Sequence, residues 1–137
     1  MNDKLRVLFV CAKNDARSLI AEALLRHADS EHFEAFSAGL VASEIDPLTL
    51  ESLDHIGIDT SGLRSKAIEE FEGQEFHYVI TLCDKTSEEA SRMPSSGEVI
   101  VWSFEDPKTS ERHEPFRHAL QEIHDRIKMF VTVKTRQ

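Results

Sequence analysis

Residues Leu5 to His27 constrain the fold more than any other stretch. Leu5 to Val10 (LRVLFV) is almost wholly apolar and mostly branched, the pattern of a buried parallel strand. Ala21, Glu22, Ala23, Leu24, Leu25 and Arg26 are strong helix formers. The short loop between them begins with Cys11 and ends with Arg17-Ser18. A cysteine therefore stands at the carboxyl end of a strand, facing the amino end of a helix. In an open α/β sheet that is where the ligand crevice lies.

The rest of the chain repeats the alternation. His32 to Gly39 reads as a second strand. Asp46-Pro47 opens a helix with Leu48, Leu50, Leu53 and Ile56 on its apolar face, and Gly57 ends it. Ala67 to Phe71 is a short helix, and Phe76 to Leu82 (FHYVITL) a third strand that runs into Cys83-Asp84. Lys85 to Arg92 reads as a short helix or turn. Val99 to Trp102 is a fourth strand, and Pro115 to Val131 a last helix with Phe116, Leu120, Ile123, Ile127 and Phe130 at helical spacing. Lys134 to Gln137 is expected to fray. Strands alternating with helices imply a parallel sheet with right-handed crossovers. The expectation is a single three-layer α/β domain over residues 1–137, with four parallel strands and helices on both faces. Cys11, Cys83 and Asp106, each just past a strand, then gather on one rim.

Composition narrows the function. A net charge of −9 argues against a general nucleic-acid binder. No apolar run reaches membrane-spanning length, and the interrupted start MNDKLRVLFVCAKND does not read as a signal peptide. Two cysteines without an export signal suggest a reducing cytoplasm. The seven histidines form no i, i+4 pair on a plausible site face, so no catalytic metal is expected.

The chemistry of the loop points to a tetrahedral oxyanion. Free N–H groups at a helix start, with the helix dipole, favour negative charge, and the same field favours the nucleophilic thiolate form of a cysteine. Residues Ala12, Lys13, Asn14, Asp15, Ala16, Arg17 and Ser18 would wrap the anion, with Arg17 offering two oxygens a planar fork. The Ser18 hydroxyl can donate to the Cys11 sulfur. An acidic Asp15 weakens such a site unless it faces solvent or pairs with Lys13. Asp106, held by Pro107, is the candidate general acid for a departing oxygen. The bland alternatives are a core cysteine with a surface arginine, and a turn aspartate before a proline.

VLFVCAKNDARSLIAEALLR resembles the phosphate-binding loop of the low-molecular-weight protein tyrosine phosphatase superfamily, which includes thiol-linked arsenate reductases. That loop usually reads Cys-x-Gly-Asn-x-x-Arg-Ser, and Cys11, Asn14, Arg17 and Ser18 match it. Lys13 replaces the usual glycine, and Asp15 a small residue. Ser37-Ala38-Gly39 also resembles the superfamily, as does Gly57-Ile58-Asp59 followed by Ser65-Lys66.

The resemblance leans to the reductase branch. Ile80-Thr81-Leu82-Cys83-Asp84 and Trp102-Ser103-Phe104-Glu105-Asp106-Pro107 both look like that branch. It implies arsenate reduction, with Cys11 as nucleophile, Arg17 as clamp, Asp106 as acid and Cys83 as the thiol that attacks Cys11. A third cysteine common in that branch is replaced by Ala90. No bound cofactor is implied. An external reductant is: glutaredoxin with glutathione, another small thiol, or thioredoxin. Some of these reductases hold a potassium ion with ligands that match Asn14, Glu22 and Ser37. Lys66 stands where a further acidic ligand would fall, so its ammonium would replace the ion and pair with Glu22; an exposed helix-start lysine is the alternative. Two other functions remain open: a phosphatase acting on a phosphotyrosine protein or a small phosphate ester, and an oxyanion-binding module without turnover. All three take an arsenate- or phosphate-type anion, with no nucleic acid and no membrane.

Overall fold

The computed structural model describes residues 4–82, 96–102, 104, 107 and 114–135. Strand β1 (Leu5–Cys11) leads into helix α1 (Arg17–Ala28), and strand β2 (Phe33–Gly39) into helix α2 (Pro47–His55). A 3-10 turn (Ile68–Phe71), strands β3 (Phe76–Thr81) and β4 (Ser96–Val101) and helix α3 (Pro115–Thr135) follow. The sheet order is β2-β1-β3-β4, and every pairing is parallel. The expected four-stranded parallel α/β sheet is therefore present.

Alternation along the strands divides the core. Val7, Phe9 and Cys11 face a large apolar cluster that takes Ile20 and Leu24 from α1, Leu53 from α2 and Ile123, Ile127 and Phe130 from α3. Leu8 and Val10 face the other way, toward Phe71, Phe76 and Val79. Among the described residues the three α-helices contribute to the first cluster, and the 3-10 turn covers the second. The helix or turn expected at Lys85 to Arg92 lies outside the described residues.

Several strand ends differ from the sequence reading by one residue, and three boundaries differ in kind or by more. β4 begins at Ser96, not Val99, because Ser96 and Glu98 pair with Phe76 and Tyr78 across the ladder. The Ala67 to Phe71 helix is one 3-10 turn over Ile68–Phe71. Helix α3 continues through Thr135, whose hydroxyl donates to the Val131 carbonyl, so fraying does not begin at Lys134.

The strand order reverses direction at β1, which has β2 on one side and β3 on the other. Cys11 pairs with Gly39, and Val10 with Thr81, so three strand ends meet there. The Leu82 amide donates to the Val10 carbonyl at 2.9 Å, carrying the chain past β3 directly beside the end of β1. A crevice at this switch point is the general ligand position of such sheets.

Candidate active site

The loop from Cys11 to Ser18 is held from beneath by a buried polar chain. Cys11 is 2% exposed, and its Sγ lies 2.9 Å from Ser18 Oγ. Asn14 adopts φ 52, the left-handed region that asparagine tolerates better than most residues. In that pose its amide donates to Ser18 Oγ at 2.7 Å and to Ser37 Oγ at 3.0 Å, while its carbonyl accepts the Lys66 amide at 2.7 Å. Because Ser18 accepts from Asn14, its own hydrogen is free to point at the Cys11 sulfur. A hydroxyl so fixed can stabilise negative charge on the sulfur.

The chain ends in a charge cluster. Ser37 donates to Glu22 Oε1, and Glu22 Oε2 accepts from Arg26 at 2.6 Å. Lys66 Nζ lies 3.5 Å from both Glu22 Oε1 and Ser37 Oγ and donates to the Arg64 carbonyl. Glu22 and Lys66 are both buried, so each charge is matched where water cannot serve it. Burial lowers the Lys66 pKa below the ordinary lysine value, and the Glu22 carboxylate opposes that shift. A buried ammonium at this distance already serves Glu22 and Ser37 and repels a further cation. The cluster therefore does not fit an added potassium ion.

Arg17 is half-buried at the start of α1. Its Nη1 donates to the Phe104 carbonyl at 2.9 Å and lies 3.4 Å from that of Leu82. The guanidinium thus bridges the loop to the carboxyl end of β3 and to the segment after β4. No side chain caps α1, because position 16 is alanine, and a helix start without a side-chain cap is a ready position for an anion. Lys13 is exposed and Ala12 half-buried; Asp15 is not turned to solvent, being 8% exposed. The Asp15 carbonyl accepts both the Asp46 amide at 3.1 Å and the buried Thr49 hydroxyl at 2.9 Å, which ties the loop to the start of α2.

Cys11, Asn14, Ser18, Glu22, Ser37 and Lys66 are thus brought together, with Arg17 beside them. Cys83 and Asp106 lie outside the described residues. Sequence reasoning gave Thr49 and Arg26 no place at the site and read Gly39 only as a strand end within the Ser37-Ala38-Gly39 resemblance; the Asp-Pro helix start at Asp46 alone hinted at the α2 tether.

A model of the family described as low molecular weight phosphotyrosine protein phosphatase matches residues 6–137. The chain belongs to this family. The resemblance read from Cys11 to Ser18 is thereby borne out. Among curated relatives of this phosphatase-family chain, an arsenate reductase of Halalkalibacterium halodurans is 32% identical over 135 residues, covering 95% of this chain and 96% of that protein. A solved arsenate reductase of Archaeoglobus fulgidus superimposes with a TM-score of 0.77 at 30% identity, over 92% of this chain and 98% of that one. A thioredoxin-dependent arsenate reductase of Corynebacterium glutamicum gives a TM-score of 0.73 at 30% identity, over 95% of this chain and 61% of that one. No helix among the described residues is long and apolar enough to cross a membrane.

Proposed function

We propose that the chain is a cysteine-based arsenate reductase of the cytoplasm, acting as one domain with an external thiol reductant. The observation that carries this reading is the Cys11–Ser18–Asn14 chain at the uncapped start of α1, in a protein whose relatives of matching length are named arsenate reductases. Arsenate is held by the amides of residues 12–18 and by Arg17. The Cys11 thiolate attacks arsenic, and an arsenate oxygen leaves as water after taking a proton from Asp106. Cys83 then attacks the Cys11 sulfur. The sulfur–arsenic bond breaks and its electron pair stays on arsenic, which leaves as arsenite. Two thiols are oxidised to one disulfide while arsenic gains two electrons.

The place of Cys83 in the sequence supports its role, since it follows Leu82, whose amide is bonded to β1 beside Cys11. Ala90 supplies no third thiol, so the reductant must attack the Cys11–Cys83 disulfide itself. The name of the Corynebacterium relative favours thioredoxin in that part. Asn14, Glu22, Ser37 and Lys66 support the loop.

The family description favours a second reading, hydrolysis of phosphotyrosine or a small phosphate ester. It uses Cys11, Arg17 and Asp106, with water attacking the phospho-cysteine. Cys83→Ser separates the two. It should stop multiple-turnover arsenate reduction, followed as arsenate-dependent thiol consumption, and spare aryl phosphate hydrolysis. Wild-type arsenate turnover by Cys83→Ser with every thiol system would sink the two-cysteine mechanism.

A further inference from the structure

Gly39 ends β2, and its need for glycine is not conformational, because it is absent from the residues with positive φ. The need is contact. A Cβ at Gly39 would stand 2.7 Å from the Asn14 nitrogen, 2.7 Å from the Lys13 carbonyl carbon and 2.7 Å from the Val41 oxygen, where real Cβ atoms essentially never come closer than 3.0 Å. All three are main-chain atoms, so no side chain can swing aside. We infer that Gly39 is a positioning residue for the oxyanion loop: its bare Cα is the seat on which the Lys13–Asn14 peptide rests.

Three features follow from that seat. The loop main chain is stitched to the same corner, with the Leu40 amide on the Cys11 carbonyl and the Val41 amide on the Ala12 carbonyl, each at 3.3 Å. The Gly39 amide donates to the Lys66 carbonyl at 2.8 Å, while the Lys66 amide donates to the Asn14 side chain at 2.7 Å. Asn14, Lys66 and Gly39 therefore form a closed circuit. Lifting the peptide off Gly39 moves the Asn14 nitrogen, and with it the amide that fixes Ser18 against the Cys11 sulfur. Misplacement of about 1 Å is enough to cost ~100-fold in a pre-organised site.

The ligand side of this inference rests on the oxyanion reading; the geometric side does not. The test is Gly39→Ala, with Gly62→Ala as control, because a Cβ at Gly62 meets only an Arg26 side-chain nitrogen at an ordinary 3.6 Å. Two quantities are measured: inorganic phosphate affinity, from its protection of Cys11 against alkylation read by peptide mass spectrometry, and solvent exchange of the Asn14 side-chain amide by NMR. Folded Gly39→Ala should bind phosphate at least tenfold more weakly, by the magnitude above, with fast exchange at Asn14. Gly62→Ala should match wild type in both. Unchanged Asn14 exchange in folded Gly39→Ala overturns the inference, as does wild-type phosphate affinity. If wild type itself binds no phosphate, the oxyanion reading fails alone, and Asn14 exchange still decides the seat. Should Gly39→Ala not fold, Lys13→Gly is added to loosen the obstructed peptide. Recovery of the fold with fast Asn14 exchange sustains the inference, and no recovery overturns it.

Discussion

Asn14→Ala tests the load carried by one buried side chain. Asn14 is fully buried and makes three hydrogen bonds, to Ser18, Ser37 and the Lys66 amide. Truncation leaves the buried Lys66 amide without its acceptor, a cost of roughly 1–3 kcal/mol. The two serine hydroxyls can rotate, so each lost donor costs less, about 0.5–1 kcal/mol. Alanine at φ 52 adds ~1 kcal/mol of left-handed strain that asparagine partly escapes. The total is about 4 kcal/mol, a large share of the ~5–15 kcal/mol that stabilises an ordinary domain. Urea titration followed by circular dichroism measures it, as a fall in midpoint at unchanged slope. Asn14→Gly removes the same bonds without the left-handed strain, so it should be less destabilised than Asn14→Ala by about 1 kcal/mol. A loss under ~1 kcal/mol for Asn14→Ala would refute the reasoning, because the Lys66 amide alone should exceed it.

Arg17→Lys keeps the charge but loses the planar fork, and should lower arsenate kcat/KM by roughly 100-fold or more while the circular dichroism spectrum stays that of wild type; near-normal turnover would remove Arg17 from the clamp. Lys66 has its pKa lowered by burial from 10.5. A base whose folded value lies below its unfolded value destabilises the fold while charged in both states, so wild-type stability should rise with pH between the lowered value and 10.5. Lys66→Met should lack that rise, and parallel stability–pH curves for the two proteins would contradict it. Thr81 is fully buried at the end of β3, and its hydroxyl has no hydrogen-bond partner among the described residues. Thr81→Val should therefore be neutral or stabilising by about 1 kcal/mol in urea titration, and a clear loss would show that the hydroxyl is paired in solution.

The elements that could be read from sequence were those whose signal is local. β1 is an apolar run interrupted only by Arg6, and α3 carries its apolar stripe for several turns, so both were legible. The first half of β4 was not: Ser96-Gly97-Glu98 has the composition of a turn, yet the Phe76 and Tyr78 partners supply a ladder that composition does not show. Being on the sheet edge, Gly97 and Glu98 can remain exposed there without cost to the core. The loop residues Cys11, Asn14, Arg17 and Ser18 were recognisable because their spacing lies within eight residues. Their supports were harder to find. Lys66 reaches Asn14 across 52 residues and Arg17 reaches Phe104 across 87. Gly39 was legible as the end of a strand, but its crowding by the Lys13–Asn14 peptide exists only once the chain has closed on itself.

Trp102 is the single tryptophan of the chain, 5% exposed and ringed by Phe9, Phe104 and Phe130 at centroid distances of 6.1, 6.5 and 5.7 Å. Its amide is fixed to the Thr81 carbonyl, and the Arg126 guanidinium lies 5.6 Å from its ring. The Phe104 that leans on this indole is the residue whose carbonyl receives Arg17. Any change in the Arg17 guanidinium on binding an anion would therefore reach the indole through one carbonyl and one ring. The only indole of the chain thus stands one residue away from the guanidinium proposed to hold the anion, so its emission is the place to look for filling of the loop, with no label and no coupled assay.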